Sequence, residues 1–232
     1  FGLALGLPFA LFAMFPNFLN KLPKSGGWLN TVKVTLGFIE LALALKFLSN
    51  ADLVAHWGIL KIELFLGLWV VIFLLLGFYL MGKIKFPKED SKIKLSRSRL
   101  ISAILVFAFS LYLASGLLYD KEKGSYNALP LLSGLAPPLG YSYFSPKDCP
   151  NNLDCFKDLQ TGINYAQKVN KPVLLDFTGY ACVNCRKMEE HVWPLPSVDK
   201  IIRENYVLIS LYVDDKKELA EKEKLFVNRT SG

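Results

Sequence analysis

Apolar positions cluster into four long runs, at about residues 1–19, 31–49, 59–81 and 100–118, and then stop. Each run is close to the roughly 20 apolar residues that a helix needs to cross a bilayer. The third is the clearest, with no charge between Leu64 and Met81. The first is interrupted by Pro8 and Pro16, which membrane helices tolerate where neighbours re-satisfy the backbone. Trp28, Trp57 and Tyr119 lie near the ends of runs, where interfacial aromatics belong. The pattern predicts four transmembrane helices in residues 1–119.

After Tyr119 the pattern changes. Residues 120–147 hold Gly124, Gly134, Gly140, Pro130, Pro137, Pro138 and Pro146, a density that reads as a linker. From 148 to 232 the polarity is that of a globular domain. Asp158 is placed to cap a helix whose Leu159, Ile163, Ala166 and Val169 share a face, and Lys171-Pro172 ends it. Val173 to Phe177 reads as a buried strand and Cys185 to Val192 as a helix stopped near Pro194. Ser197 is placed to cap a short helix ending near Glu204, and Tyr206 to Val213 reads as a second strand. The fold class expected is therefore an α-helical membrane bundle followed by an α/β domain.

Composition supports the split: 52% of residues are apolar and 20% charged, too apolar for an ordinary soluble protein. The net charge of +7 does not point to nucleic acid, because seven basic residues lie between Lys83 and Arg99, directly between two apolar runs. Basic loops beside membrane helices mark the cytoplasmic side. The first loop carries Lys21, Lys24 and Lys33, whereas Asn50 to Leu60 carries no Lys or Arg. Loops one and three are expected in the cytoplasm, and everything after Tyr119 outside it. The chain opens at Phe1 within an apolar run and closes at Gly232, so it reads as a piece of a longer protein; residues 1–19 lack the basic start of a signal peptide.

The candidate chemistry sits in Asp176-Phe-Thr-Gly-Tyr-Ala-Cys182-Val-Asn-Cys185-Arg-Lys. A strand runs into a short turn, and a C-x-x-C then opens a helix. The thiolate is the nucleophile of disulfide exchange, and a helix N-terminus stabilises an anion with free N–H groups and the dipole. Three-residue spacing puts Cys185 one turn on, close enough to close a disulfide with Cys182 and release a bound partner. Zinc sites use the same spacing, but a four-ligand site wants a second pair. The other cysteines, Cys149 and Cys155, are spaced differently, and His191 is the only nearby imidazole. No metal and no cofactor beyond the cysteine pair is expected.

At these residues the chain resembles a known family. The stretch from Lys171 through Met188-Glu189 is similar to the C-terminal domain of the thiol:disulfide interchange protein DsbD family. Leu7-Pro8-Phe9, Leu22-Pro-Lys-Ser-Gly-Gly-Trp28 and Val32-Lys-Val-Thr-Leu-Gly-Phe38 resemble its membrane part. The resemblance implies a thioredoxin-like domain on a bacterial inner membrane, facing the periplasm. It implies a protein-disulfide reductase that takes reducing equivalents from cytoplasmic thioredoxin and passes them to periplasmic disulfides, supporting disulfide isomerisation and cytochrome c maturation. Cys182 matches the exposed attacking cysteine, Cys185 the buried resolving one, Asp176 the buried acid beneath them and Glu189 a second acid. Read from the residues alone, Asp176 is also a strand-end carboxylate facing solvent, although it sits between Leu175 and Phe177; Glu189 is also a solvated helix residue. Two departures are plain. The family relays electrons through a membrane cysteine pair, and no cysteine precedes Cys149. The hairpin after a cis-proline and the final helix of a thioredoxin fold are expected beyond Gly232, so the domain over 148–232 is incomplete.

Cys149 and Cys155 read as a short structural disulfide tethering linker to domain, with free thiols or a second exchange pair as the other options. Glu40, near the middle of the second run, is expensive in a membrane. It lines a path between the faces or is neutral and bonded to a neighbouring helix. Lys46, six residues on, is expected to snorkel. His56, His191 and the Asn228-Arg-Thr230 sequon read as loop, exposed helix face and chance match. The rival functions are a transporter, a soft-metal handler using the C-x-x-C, and a thioredoxin-like protein whose helices only anchor it.

Overall fold

The computed structural model describes residues 27–86, 95–121, 124–147 and 149–215. The run at 1–19 and the sequon lie outside the described residues. Helix α1 spans Gly27–Ala55, α2 Ile62–Leu80 and α3 Arg97–Ser115. Among the described residues, α2 and α3 are long and apolar enough to cross a membrane. Helix α1 carries Lys33, Glu40 and Lys46 along its 29 residues.

Helix α2 is apolar all round and sits between the other two. Phe65, Leu66, Trp69, Ile72, Leu76 and Tyr79 recur at helical spacing and are buried. Gly77 lets α3 approach closely, since a Cβ there would meet the Phe107 ring at 2.8 Å. Helix α3 buries only Ala103, Ser110 and Leu113, leaving Ile101, Ile104, Leu105 and Leu111 facing outward. An outward face of this kind suits hydrocarbon rather than water. Arg99 donates to the carbonyls of Leu80 and Tyr79, both at 2.8 Å, and so satisfies the open end of α2. Glu40 is exposed on α1, whereas Lys46 is buried and bonds Asn50 at 2.6 Å, so the two lie on different faces.

The Pro/Gly-rich stretch expected to be a linker is folded onto the helices. Strands β1 (Tyr119–Asp120) and β2 (Ser125–Tyr126) form a small antiparallel ribbon, followed by a 3₁₀ turn at Pro130–Leu132. Proline and glycine stop regular elements here, but the interleaved Tyr126, Leu129 and Leu132 still bury themselves against Phe65, Leu66 and Leu113. Asp52, fully buried, fastens this cap. Its carboxylate accepts from the Ile59 and Leu60 amides, each at 2.9 Å, and from the Tyr141 hydroxyl at 2.7 Å. Glu63 accepts from the Tyr143 and Phe144 amides and the Ser142 hydroxyl.

A three-stranded parallel sheet follows, ordered β3 (Cys155–Phe156), β5 (Val207–Tyr212), β4 (Val173–Thr178). Helix α4 (Leu159–Val169) packs on one face, where Gly162 lies so close to Ile209 that a Cβ would meet its side chain at 2.4 Å. Helices α5 (Val183–His191) and α6 (Pro196–Asn205) cover the other, over a core of Leu153, Trp193, Ile202 and Leu208. Asp158 caps α4 as expected, accepting from Thr161 at 2.7 Å. Ser197 does not cap α6, whose N-cap is Leu195, two residues earlier, with Pro196 in the first turn, a position where proline costs no hydrogen bond. Strand β4 is not buried on both faces. Among the described residues it is the outermost strand, with Leu175 and Phe177 exposed on one face while Leu174, Asp176 and Thr178 alternate towards the other.

Replacing Asp52 with Ala leaves two amides and a tyrosine hydroxyl without their acceptor. We expect a loss of about 2–4 kcal/mol, read by thermal unfolding of the detergent-solubilised chain, with faster proteolysis within 124–147. An unchanged melting temperature and cleavage rate would show that Asp52 does not fasten the cap.

Candidate active site

Strand β4 ends at Thr178, and the chain turns through Gly179-Tyr180-Ala181 into α5. Asp214, just past β5, holds this turn by accepting from the Tyr180 amide at 2.8 Å and the Ala181 amide at 2.9 Å. Residue 179 must be small, because a Cβ there would meet the Asp214 carboxylate at 2.8 Å. Cys182 is thereby delivered to the N-cap of α5, with its sulfur 3.3 Å from the Cys185 amide. Cys182 and Cys185 are bridged, Cα to Cα 5.3 Å. Both are half-buried, so exposure in this oxidised state does not separate an attacking from a resolving cysteine.

Beneath the disulfide lies a buried polar cluster. Asp176 and Ser210 are register partners on β4 and β5, as are Thr178 and Tyr212. Their side chains meet Arg186 and Glu189 from α5. Arg186 and Glu189 are each only 5% exposed. The guanidinium Nη2 donates to Glu189 Oε1 at 2.7 Å and Nη1 lies 2.6 Å from Oε2. Nη2 also donates to the Thr178 hydroxyl at 2.9 Å. Glu189 is therefore not a solvated helix residue. Asp176 is half-buried, and its Oδ2 is buried with no hydrogen-bond partner. Burial raises the Asp176 carboxyl above its ordinary range, against the opposing pull of Ser210 and Arg186. Burial likewise pushes Glu189 up to about 7; Arg186 opposes the rise and Asp176 adds to it.

Cys149 and Cys155 are also bridged, Cα to Cα 5.8 Å. The loop they close carries Asn151 and Asn152 at φ 53° and 55°, a conformation that asparagine tolerates better than most residues. Asn151 donates to the Glu189 carbonyl at 2.5 Å, and Arg203 clamps the carbonyls of Asn151 and Asn152 at 2.8 and 2.9 Å. The second disulfide thus braces the far end of α5. His56 is more than a loop residue: its Nε2 lies 2.8 Å from Asp215 and its ring meets Tyr180 edge-on at 5.2 Å. Gly134, at φ 75°, sits against Val183 so tightly that a Cβ would meet Val183 Cγ1 at 2.5 Å. The cap over the helices therefore touches the C-x-x-C motif. His191 is exposed, as expected.

Sequence reasoning finds Cys182, Cys185, Asp176 and Glu189, and the structure brings the carboxylates together under the disulfide. It misses the buried state of Arg186 and the roles of Asp214, Thr178, Tyr212 and Asn151. The i, i+3 spacing of Arg186 and Glu189 is the one local signal for their pairing. Glu40 lies far along the chain from this cluster and makes no part of it.

Residues 154–229 match the family model described as Thioredoxin-like. The thiol:disulfide interchange protein DsbD of Campylobacter jejuni strain RM1221 is 30% identical over 223 residues, 91% of this chain. The chain is similar to that protein over most of its own length. The protein of the same name from Salmonella typhi is 30% identical over 90% of the chain, and that of Pseudoalteromonas atlantica 28% over 83%. The chain spans about a third of the length of these relatives, covering 32%, 31% and 28% of them. The similarity runs through the apolar helices as well as the C-x-x-C domain.

Glu189 also fixes a pH dependence. Its folded value of about 7 lies above the ordinary 4.5. The folded domain keeps a proton that the unfolded chain releases, so this stabilisation is complete below about 4.5 and is lost as pH rises through 7. Thermal stability should therefore fall between pH 5 and 8 by on the order of 1–3 kcal/mol from this group, and Glu189→Gln should flatten that slope. Equal slopes in wild type and variant, measured by melting curves across the range, would contradict it.

Proposed function

We propose that this chain is the membrane-attached, C-terminal portion of a protein-disulfide reductase, with Cys182–Cys185 as its redox group and no other cofactor. One observation carries the reading: an oxidised C-x-x-C at the N-terminus of α5, one short turn after a parallel strand that carries the half-buried Asp176, with the buried Glu189 on the same helix. Cys182 attacks a partner disulfide, Cys185 resolves the mixed disulfide, and Asp176 and Glu189 govern the protons. Helix position supports this order, since an N-cap thiolate is the better stabilised of the two. The bridged Cys149–Cys155 pair acts as the structural disulfide.

The finer reading follows the resemblance. The runs at 1–19, 31–49, 59–81 and 100–118 are four spans of a bacterial inner membrane, with the basic loop at Lys83–Arg99 cytoplasmic and the thioredoxin-like domain periplasmic. Cytoplasmic thioredoxin supplies the electrons, and periplasmic thiol–disulfide proteins, including those of cytochrome c maturation, receive them. The four cysteines of this chain stand at 149, 155, 182 and 185, so the relay draws on a thiol pair in sequence outside it.

With Cys185→Ala in the full-length protein, we expect mixed disulfides to accumulate on Cys182, visible as reductant-sensitive adducts on non-reducing gels. Trapping should fall at least tenfold when Cys182 is replaced instead, because only the N-cap sulfur starts the exchange. Equal trapping by both variants would overturn the assigned order.

A further inference from the structure

The helical part of the chain touches the redox motif at two points, and these flank the first cysteine: Tyr180 lies two residues before Cys182 and Val183 one residue after it. His56, in the turn between α1 and α2, meets the Tyr180 ring edge-on at 5.2 Å and places its Nε2 2.8 Å from Asp215 Oδ1. Gly134, in the cap, lies against Val183 with no room for a side chain, since a Cβ would come within 2.5 Å of Val183 Cγ1 and 3.0 Å of its Cα. Both sides of the contact are preformed. His56 sits at φ 55° in a turn that Asp52 closes by accepting from the Ile59 and Leu60 amides, each at 2.9 Å. Tyr180 is stacked on Tyr212 at 4.3 Å, and its amide donates to Asp214 at 2.8 Å.

A folded protein that presents a disulfide to Cys182 has to lay its own surface on the residues around the sulfur. Even a small encounter of this kind covers several hundred Å² on each side, of the order of 500 Å². Ala181, Val183 and Asn184 are exposed, but Gly134 already rests on Val183 and His56 on Tyr180. A small disulfide needs only a line of approach to the sulfur. We infer that the α1–α2 turn and the cap form an intramolecular seat for the redox motif, held by His56, that selects disulfide partners by size. While the motif is seated, Cys182 is open to small disulfides and closed to folded proteins, which react with the released domain. This rests on the thiol–disulfide exchange proposed above.

The strength of the His56 contact suits a seat that opens. The His56 and Asp215 side chains are 43% and 26% exposed, and an ion pair so open to water holds weakly. The edge-on ring contact with Tyr180 adds to it. Contacts of this kind divide a domain between seated and released populations instead of locking it. The neighbouring carboxylate has a different task. Asp214 accepts from the Tyr180 and Ala181 amides, so it holds the turn before Cys182 within the redox domain itself. Asp215 faces the helical part, and Asp214 faces the motif. Release therefore changes access to Cys182 and leaves its N-cap position intact.

The test uses the full-length protein in detergent, with Cys182 and Cys185 reduced and Cys149–Cys155 bridged. Two oxidants are compared, a small aromatic disulfide and insulin, a folded protein with disulfides of its own. With either, the Cys182–Cys185 bond forms as the reagent's disulfide breaks, and two electrons and two protons pass to its two sulfurs. Alkylation at timed intervals and mass mapping of Cys182 and Cys185 give the two rates. His56→Asn keeps a residue that tolerates positive φ but loses the ring and the ion pair. It should raise the insulin rate about three- to tenfold and leave the aromatic disulfide within about twofold. Gly134→Ala, acting at the other contact, should shift the ratio of rates the same way. Hydrogen exchange over residues 130–136 and 180–184 should quicken in His56→Asn, which reports release without reference to reactivity. Should His56→Asn fail to fold, Asp215→Asn removes the same pair from the redox side and decides the matter. An unchanged ratio of rates in the folded variant, whether neither reagent gains or both gain equally, would overturn the inference and leave the exchange function standing. A wild type whose Cys182 and Cys185 stay reduced with both reagents would remove the exchange function, and the inference with it.

Discussion

An arginine and a glutamate are buried side by side under a disulfide, and most of the site is arranged around that pair. Removing two charges from water costs several kcal/mol per ion, and only good geometry offsets it. Here the geometry comes from three directions. Thr178 at the end of β4 accepts from the guanidinium, Asn151 in the second disulfide loop holds the Glu189 backbone, and the i, i+3 spacing on α5 aligns the fork. The pair therefore locks α5 to the sheet at one register. That register sets Cys182 at the helix N-cap and Cys185 one turn on. A shift of α5 by one residue would strand both charges, so the position of the sulfurs is tied to the most costly interaction in the domain.

A second buried carboxylate performs a comparable task in the helical part. Asp52 gathers two backbone amides and the Tyr141 hydroxyl, drawing the segment after α3 back across the α1–α2 turn. From that platform Gly134 reaches Val183, and His56 reaches Asp215 and Tyr180. The redox motif thus rests against the end of the helices instead of hanging from a tether. An exchange site in this position is close to whatever the helices present, and one face of its motif is covered by the chain itself.

Much of this was legible in the sequence. The apolar runs locate α2 and α3, and α1 within a longer helix, because a membrane helix needs only length and apolarity to declare itself. Asp158, the strand at Val173 and the C-x-x-C helix follow from local capping and alternation. The failures share a cause. Residues 120–147 carry turn-forming Pro and Gly, and local propensity says nothing about where Tyr126, Leu129 and Leu132 will be buried. Strand β4 reads as a uniformly buried apolar run because the exposure of Leu175 and Phe177 among the described residues depends on what packs on that face, not on Val173–Thr178. Arg186 reads as a surface cation since nothing nearby in sequence announces the carboxylates on β4. Only the register of Asp176 with Ser210 and of Thr178 with Tyr212 brings those side chains under α5.

The central claim is that Cys182–Cys185 is a reversible two-electron couple and that Cys149–Cys155 is not. Equilibrating the full-length protein across a series of glutathione redox buffers, then alkylating and mapping each cysteine by mass, measures both pairs together. The account predicts one cooperative two-electron transition at Cys182–Cys185 within the range of biological thiol couples, with Cys149–Cys155 oxidised throughout. Cys182–Cys185 staying fixed in one state across the whole range, or both pairs titrating together, would contradict it.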